Sequence, residues 1–142
     1  MGQFSTEEAI AVFRAEGRNI TAQRMAIFNA LESADGHPTA EELYGRLRTT
    51  VPGLALKTVY AILRELAELR LVAPLRLPQG ATHWERNTAP HGHLVCERCR
   101  SVADLPVDPT VLMPLVRRAA RGFTPRTASL IVHGWCAQCA RH

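Results

Sequence analysis

All four cysteines of this 142-residue chain fall into two Cys-x-x-Cys pairs, Cys96/Cys99 and Cys136/Cys139. Two residues between the sulfurs let both thiolates of a pair point at one centre. Two such pairs supply the four soft ligands of a closed tetrahedral Zn2+ site. The 36 residues between Cys99 and Cys136 exceed the gap of about 15–20 in a simple zinc ribbon, so the pairs are expected to staple a small folded unit at its two ends. The competing reading is two disulfides or redox dithiols. No apolar N-terminal stretch suggests secretion, and a reducing cytosol disfavours disulfides, so structural zinc in a cytoplasmic protein is the expectation.

Charge is a weak guide to partners. The formal net charge is +4. Residues 1–87 carry ten basic and ten acidic side chains, whereas 88–142 carry seven basic and three acidic. A zinc ion with four thiolates would add −2 to that second half, so local placement must decide what the charges do. No apolar run approaches the roughly 18 residues of a membrane span.

The pattern is helical first and extended later. Ser5-x-x-Glu8 and Thr39-x-x-Glu42 are capping boxes, and Thr21 is a candidate N-cap. Gly17 and Pro52-Gly53 mark helix ends. Over 56–69, Val59, Ile62, Leu63, Leu66 and Leu69 form one apolar stripe, while Lys57, Tyr60, Ala61 and Arg64 occupy the other face. The runs Leu71–Leu77 and Thr82–Glu85 flank Pro78-Gln79-Gly80, a hairpin signal. Helices followed by a β-hairpin suggest a winged helix-turn-helix with 56–69 as the helix that enters the major groove. Lys57, Tyr60 and Arg64 would then face DNA, and Arg18 and the hairpin could touch its backbone or minor groove. A solvated amphipathic helix is the alternative, because Glu65 and Glu68 nearby would repel phosphate.

After Thr88-Ala89-Pro90 the chain turns to short strands, 93–96 and 101–105, an amphipathic helix over 110–121 with Pro114 in its first turn or at a kink, and a strand over 129–133. These 55 residues are too few for a self-sufficient core, so a zinc staple and a partner subunit are expected. His91-x-His93 on extended chain puts two imidazoles on one side, with Glu85 just before them and Asp104 on the next strand. Such N/O donors suit Fe2+, Mn2+ or Zn2+, although a pair of surface histidines reads the same way, and His37 by itself reads as a solvent-facing residue before a helix.

Thr21-Ala-Gln-Arg24, His37-Pro-Thr-Ala-Glu-Glu-Leu-Tyr44, Lys57-Thr-Val-Tyr60, His91-Gly-His93-Leu-Val-Cys96-Glu-Arg-Cys99 and the terminal Cys136/Cys139 together resemble the ferric uptake regulator family. The resemblance runs in order along nearly the whole chain. It implies an α+β protein: a winged-helix DNA-binding domain over 1–87 and an α/β dimerisation domain with a four-cysteine zinc site over 88–142. It implies structural Zn2+ on Cys96, Cys99, Cys136 and Cys139, and a regulatory Fe2+ or Mn2+ on His37, Glu85, His91, His93 and Asp104. Arg18, Lys57, Thr58, Tyr60 and Arg64 would contact double-stranded operator DNA, with Tyr60 touching bases. The protein would be a homodimeric repressor, not an enzyme, with neither a membrane partner nor a small organic substrate.

The chain departs from the family pattern at four places. Ala61 stands where many relatives have Arg. Pro90 and Gly92 flank His91 and offer no side-chain ligand, so a further metal site there is not expected. Every cysteine is committed to the Cys-x-x-Cys pairs, which disfavours a zinc-uptake sensor. Glu85 replaces the Asp typical of peroxide sensors, which favours Fe2+ or Mn2+ sensing over peroxide sensing through histidine oxidation. A zinc-stapled enzyme and a plain interaction module are the readings from other classes.

Overall fold

Each of the first three helices starts where a hydroxyl takes up an amide that the helix leaves without a partner. Ser5 Oγ accepts from the Glu8 amide at 3.2 Å ahead of α1 (Thr6–Ala15), and Thr21 Oγ1 accepts from the Arg24 amide at 3.2 Å ahead of α2 (Ala22–Ser33). Thr39 and Glu42 exchange both bonds of a capping box, each 3.1 Å, at the start of α3 (Ala40–Leu47). The fourth helix, α4 (Leu56–Glu68), has no side-chain cap and is held instead by its apolar stripe: Val59, Ile62, Leu63 and Leu66 are buried. In this computed structural model the described residues are 2–78 and 80–141. They form two compact units, one ending at Ala89 and the other beginning at Pro90. No helix among them is long and apolar enough to cross a membrane.

The first unit packs α1–α4 around Phe13, Phe28, Ile27, Leu31, Leu43, Val59, Leu63 and Leu66, all fully buried. Phe13 meets Phe28 edge-on at 5.0 Å between ring centroids. Arg70 ends α4 in the left-handed region at φ 60°, with the Leu71 amide reaching back to the Leu66 carbonyl at 2.9 Å. That turn sends Leu71 and Val72 into the core, so the first strand of the hairpin is shorter than the apolar run suggested. It is β1 (Ala73–Leu75), paired antiparallel with β2 (His83–Glu85). Of the expected Pro78-Gln79-Gly80 turn, Gln79 lies outside the described residues. Thr88 stays with this unit because its amide donates to the Gly2 carbonyl at 2.6 Å.

The second unit is built on a three-stranded sheet in the order β4-β3-β5. Its central strand β3 (Gly92–Cys96) is antiparallel to β4 (Val102–Leu105) and parallel to β5 (Ile131–Gly134). The helix expected over 110–121 divides in two. Asp108 caps a 3-10 turn, Pro109–Leu112, by accepting from the Thr110 amide at 2.9 Å. Pro114 has no N–H to continue that turn, and it sits in the first turn of α5 (Met113–Ala119). A one-turn helix, α6 (Ala137–Ala140), carries the second cysteine pair. Among the described residues of this unit only Gly92, Val95, Cys96 and Pro109 are buried. Leu94 and its register partner Val132 remain 40% and 43% exposed on one sheet face.

Arg86, just after β2, ties the end of α2 to the chain that follows it. Its guanidinium donates to the Leu31 carbonyl at 3.1 Å and the Gly36 carbonyl at 3.0 Å. Arg86→Ala leaves these carbonyls without that donor and should cost about 2 kcal/mol of unfolding free energy. Arg86→Lys, which lacks the planar fork, should recover only part of it. Urea unfolding midpoints test this: an Arg86→Ala midpoint equal to wild type is the contrary result.

Candidate metal centres and nucleic-acid interface

The four cysteine sulfurs all lie within 4.8 Å of one another in the second unit. Cys99 Sγ and Cys136 Sγ are 3.8 Å apart. Zn–S bonds of about 2.3 Å give a tetrahedral edge of about 3.8 Å, so this spacing fits four-coordinate zinc and is nearly twice a disulfide bond length. All four thiols are free of disulfides. The fold assembles them because β3 runs beside β5. Cys96 ends β3, and its register partner Gly134 lies two residues before Cys136.

Backbone amides prepare the site for negative charge. Cys96 Sγ accepts from the Cys99 amide at 3.5 Å and the Cys136 amide at 3.4 Å, and these bonds hold its thiol down at about 6. Ser101 Oγ, 3.1 Å from Cys99 Sγ, holds that thiol below its ordinary range as well. Cys139 is pushed up to about 12, first by its hydrogen bond with Cys136 and then by burial. Four neighbouring thiolates would need a compensating cation, and the four-sulfur donor set suits Zn2+. Arg98 braces the two knuckles, donating to the Cys139 carbonyl at 2.9 Å while its guanidinium lies 4.7 Å from the Trp135 ring centroid.

The N/O donors form two groups, one in each unit. In the first, His37 Nε2 lies 2.7 Å from Glu85 Oε2, and both side chains are nearly buried. His37 occupies the connection between α2 and α3, which is fastened to β2: its carbonyl is 2.7 Å from His83 Nδ1, and the Trp84 amide donates to the Pro38 carbonyl at 2.8 Å. In the second unit, His91 Nε2 and His93 Nε2 lie 3.1 and 3.7 Å from Asp104 Oδ1. The register pairs His93 with Asp104 across β3 and β4, which is why a carboxylate 11 positions along the chain returns to the imidazoles. Metal bonds of about 2.1 Å place neighbouring octahedral ligands about 3.0 Å apart, so the His91–Asp104 pair already has the spacing of two ligands on one ion.

On the outer side of α4, Lys57 and Arg64 are exposed, and Thr58 and Tyr60 are half-buried. Tyr60 donates its hydroxyl proton to Glu41 Oε1 on α3, a bond that raises the phenol above its ordinary range. Glu65 is not a bare charge. Arg18 and Arg24 reach one of its oxygens at 3.1 and 2.6 Å, and both guanidinium groups also lie beside the Phe13 ring. Arg18 is thus engaged inside the helical unit rather than projecting freely. Sequence reasoning missed the roles of Arg24, Glu41, Arg86, Arg98 and Ser101. Arg24 stood in a quoted motif without a function, and the partners of the others are set by tertiary contacts or by the turn of a knuckle.

Known regulators share both the sequence pattern and the fold. The "Peroxide-responsive repressor PerR" of Staphylococcus epidermidis is 30% identical over 133 residues, covering 94% of this chain and 89% of that protein. The ferric uptake regulator Fur of Helicobacter pylori, described with three functional metal binding sites, shares the fold at a TM-score of 0.72 and 20% identity, covering 94% of this chain and 90% of that one. The ferric uptake regulator of Pseudomonas aeruginosa with manganese superposes at a TM-score of 0.66 and 26% identity over 89% of this chain and 96% of that one. The Ferric uptake regulator family model matches residues 15–133, and the chain belongs to that family of metal-dependent transcriptional repressors.

Proposed function

We propose that this protein is a homodimeric, operator-binding repressor of the cytoplasm that responds to Fe2+ or Mn2+. The observation that carries the reading is the division of the N/O donors: His37 and Glu85 belong to the helical unit, and His91, His93 and Asp104 to the sheet unit. Two or three donors are too few for a six-coordinate ion, whereas five nearly complete its shell. An ion drawing on both groups would supply a fixed link between the unit that reads DNA and the unit that dimerises. Without that link the two recognition helices of a dimer sample many separations. Operator affinity falls with the fraction of molecules holding the spacing of successive major grooves. The coupling is reciprocal, so operator DNA should tighten metal binding.

Zinc on Cys96, Cys99, Cys136 and Cys139 serves structure in this scheme, since the sheet unit has little buried apolar surface of its own. The exposed Leu94–Val132 face supports dimerisation through a second copy. Lys57, Thr58, Tyr60 and Arg64 on α4 are the residues proposed to meet DNA, with Arg18 supporting their helix through Glu65. Pairing of Glu65 with two arginines removes one of the two carboxylates that weighed against placing α4 on phosphate; Glu68 stays exposed.

Likeness to a peroxide-responsive repressor favours one second reading, in which the Fe2+ form is inactivated by oxidation of His37 or His91. Glu85, where such sensors have Asp, weighs against it. Mass spectrometry of the Fe2+ protein after peroxide treatment decides the matter, and peptides of His37 and His91 without an added oxygen atom rule it out.

Binding of promoter duplexes under anaerobic conditions, at stated salt, tests the main reading with Fe2+, Mn2+ and Zn2+ supplied separately. His91→Ala should lose at least about tenfold of the metal-dependent affinity. Full metal-dependent binding by that variant would refute the shared ion. Removing the thiolate-bound zinc with a strong chelator should abolish binding and convert dimer to partly unfolded monomer, read by sedimentation and circular dichroism. Intact dimer after complete zinc loss would show that the thiolate site does not hold the unit together.

A further inference from the structure

We propose that Glu41 sets the base preference of α4 by fixing the Tyr60 phenol as a hydrogen-bond acceptor toward the major groove. The inference rests on the reading of α4 as the DNA-reading helix and adds to it a polarity that helix geometry alone does not supply.

Tyr60 has one hydroxyl proton, and it is committed to Glu41 Oε1. The ring cannot swing freely to change that partner, because it is half-buried against the apolar cluster of the helical unit. Glu41 lies in the first turn of α3, exposed, with the capping box built by its neighbour Glu42 rather than by itself. Its carboxylate is therefore available to hold the phenol. Once the proton is taken, the phenol oxygen has only lone pairs to offer. Base edges in the major groove present hydrogen-bond donors at two places alone, the N6 amino group of adenine and the N4 amino group of cytosine. Guanine O6 and N7 and thymine O4 are acceptors. Each base pair carries one such amino group, so an acceptor oxygen at Tyr60 reads which strand bears it, favouring adenine over thymine or cytosine over guanine on the strand it meets. Arg64, four residues on and exposed, is a pure donor on the same helix. The reading face sets one acceptor beside the donors Lys57 and Arg64, and Glu41 is the residue that makes the acceptor unambiguous. Glu41 acts through Tyr60 and is a positioning residue.

The test uses the full-length, zinc-retaining protein loaded with Mn2+. A site is first selected from random duplex DNA with the wild type, and every base pair of the half-site is then replaced in turn. At one position of the half-site wild type should distinguish a base pair from its strand-reversed form, A·T from T·A or C·G from G·C, by roughly tenfold. Glu41→Ala should bind the selected site but reduce that preference to about twofold or less, leaving discrimination at other positions intact. Tyr60→Phe, which removes the oxygen, should lose the same preference. Glu41→Gln, whose amide oxygen still accepts the phenol proton, should restore it. A Glu41→Ala base profile identical to wild type overturns the role of Glu41 while leaving the DNA-binding reading in place. Failure of wild type to select any sequence overturns both.

Discussion

The sheet unit depends on the convergence of Cys96, Cys99, Cys136 and Cys139, because it has so few other means of staying folded. Burial there reaches Gly92, Val95, Cys96 and Pro109 among the described residues, whereas the helical unit closes over Phe4, Phe13 and Phe28 and a row of Leu, Ile and Val. In the proposed zinc-bound form, thiolate–metal bonds would replace the missing apolar area. Free energies of zinc binding in small peptides, about 10–16 kcal/mol, are as large as the stability of a whole domain. The amide donors around Cys96 bring the charge on the sulfurs within reach before any ion arrives. Leu94 and Val132 stay exposed on one face of the sheet, the face proposed to receive a second copy.

The same sheet explains why a glycine separates the paired histidines. A Cβ at Gly92 would stand 3.2 Å from the Leu130 carbonyl oxygen and 3.3 Å from its side chain, closer than packed groups normally come. β3 approaches the entry of β5 that tightly because the His93 amide donates to the Leu130 carbonyl at 3.0 Å. A side chain at position 92 would push the strands apart just where His91 and His93 meet Asp104. In the helical unit, precision comes from elsewhere. His37 is on a connection rather than an element, and connections are ordinarily mobile. Here Arg86, His83 and Trp84 bind its backbone at several carbonyls, which turns a loop residue into a fixed donor beside Glu85.

Much of this was legible along the chain wherever the determinant is local. Thr39 and Glu42 announce α3, the stripe from Val59 to Leu66 announces α4, and the Cys-x-x-Cys spacing announces the thiolate cluster. Local signals failed where a distant residue decides. Nothing near Arg70 marks a left-handed turn, since glycine is the usual occupant and tertiary packing of Leu71 and Val72 imposes it here. The strand runs looked longer than they are because apolar character serves the core as well as the ladder. The helix expected over 110–121 is divided at Pro114, which sits in the first turn of α5 as its missing N–H requires, with a 3-10 turn ahead of it. Arg18 looked like a free cation and Glu65 a free anion, and 47 residues separate these partners.

Those pairings also resolve how a helical domain with zero formal charge offers a surface to a polyanion. Net charge counts side chains, but a phosphate responds to those that remain uncompensated within a Debye length, about 10 Å at 0.1 M salt. Glu65 is taken up by Arg18 and Arg24, Glu85 lies against His37, and Glu42 is turned back onto the α3 backbone. Several acidic groups are thus engaged inside the fold, while Lys57 and Arg64 stay exposed on α4. Glu41 is the carboxylate that remains beside Tyr60. A negative charge there would lower non-specific affinity for any phosphate backbone, and the role proposed for its bond to Tyr60 would give that loss a use. A repressor that must ignore most of a genome is better served by weaker indiscriminate binding and a sharper choice of base than by a uniformly cationic helix.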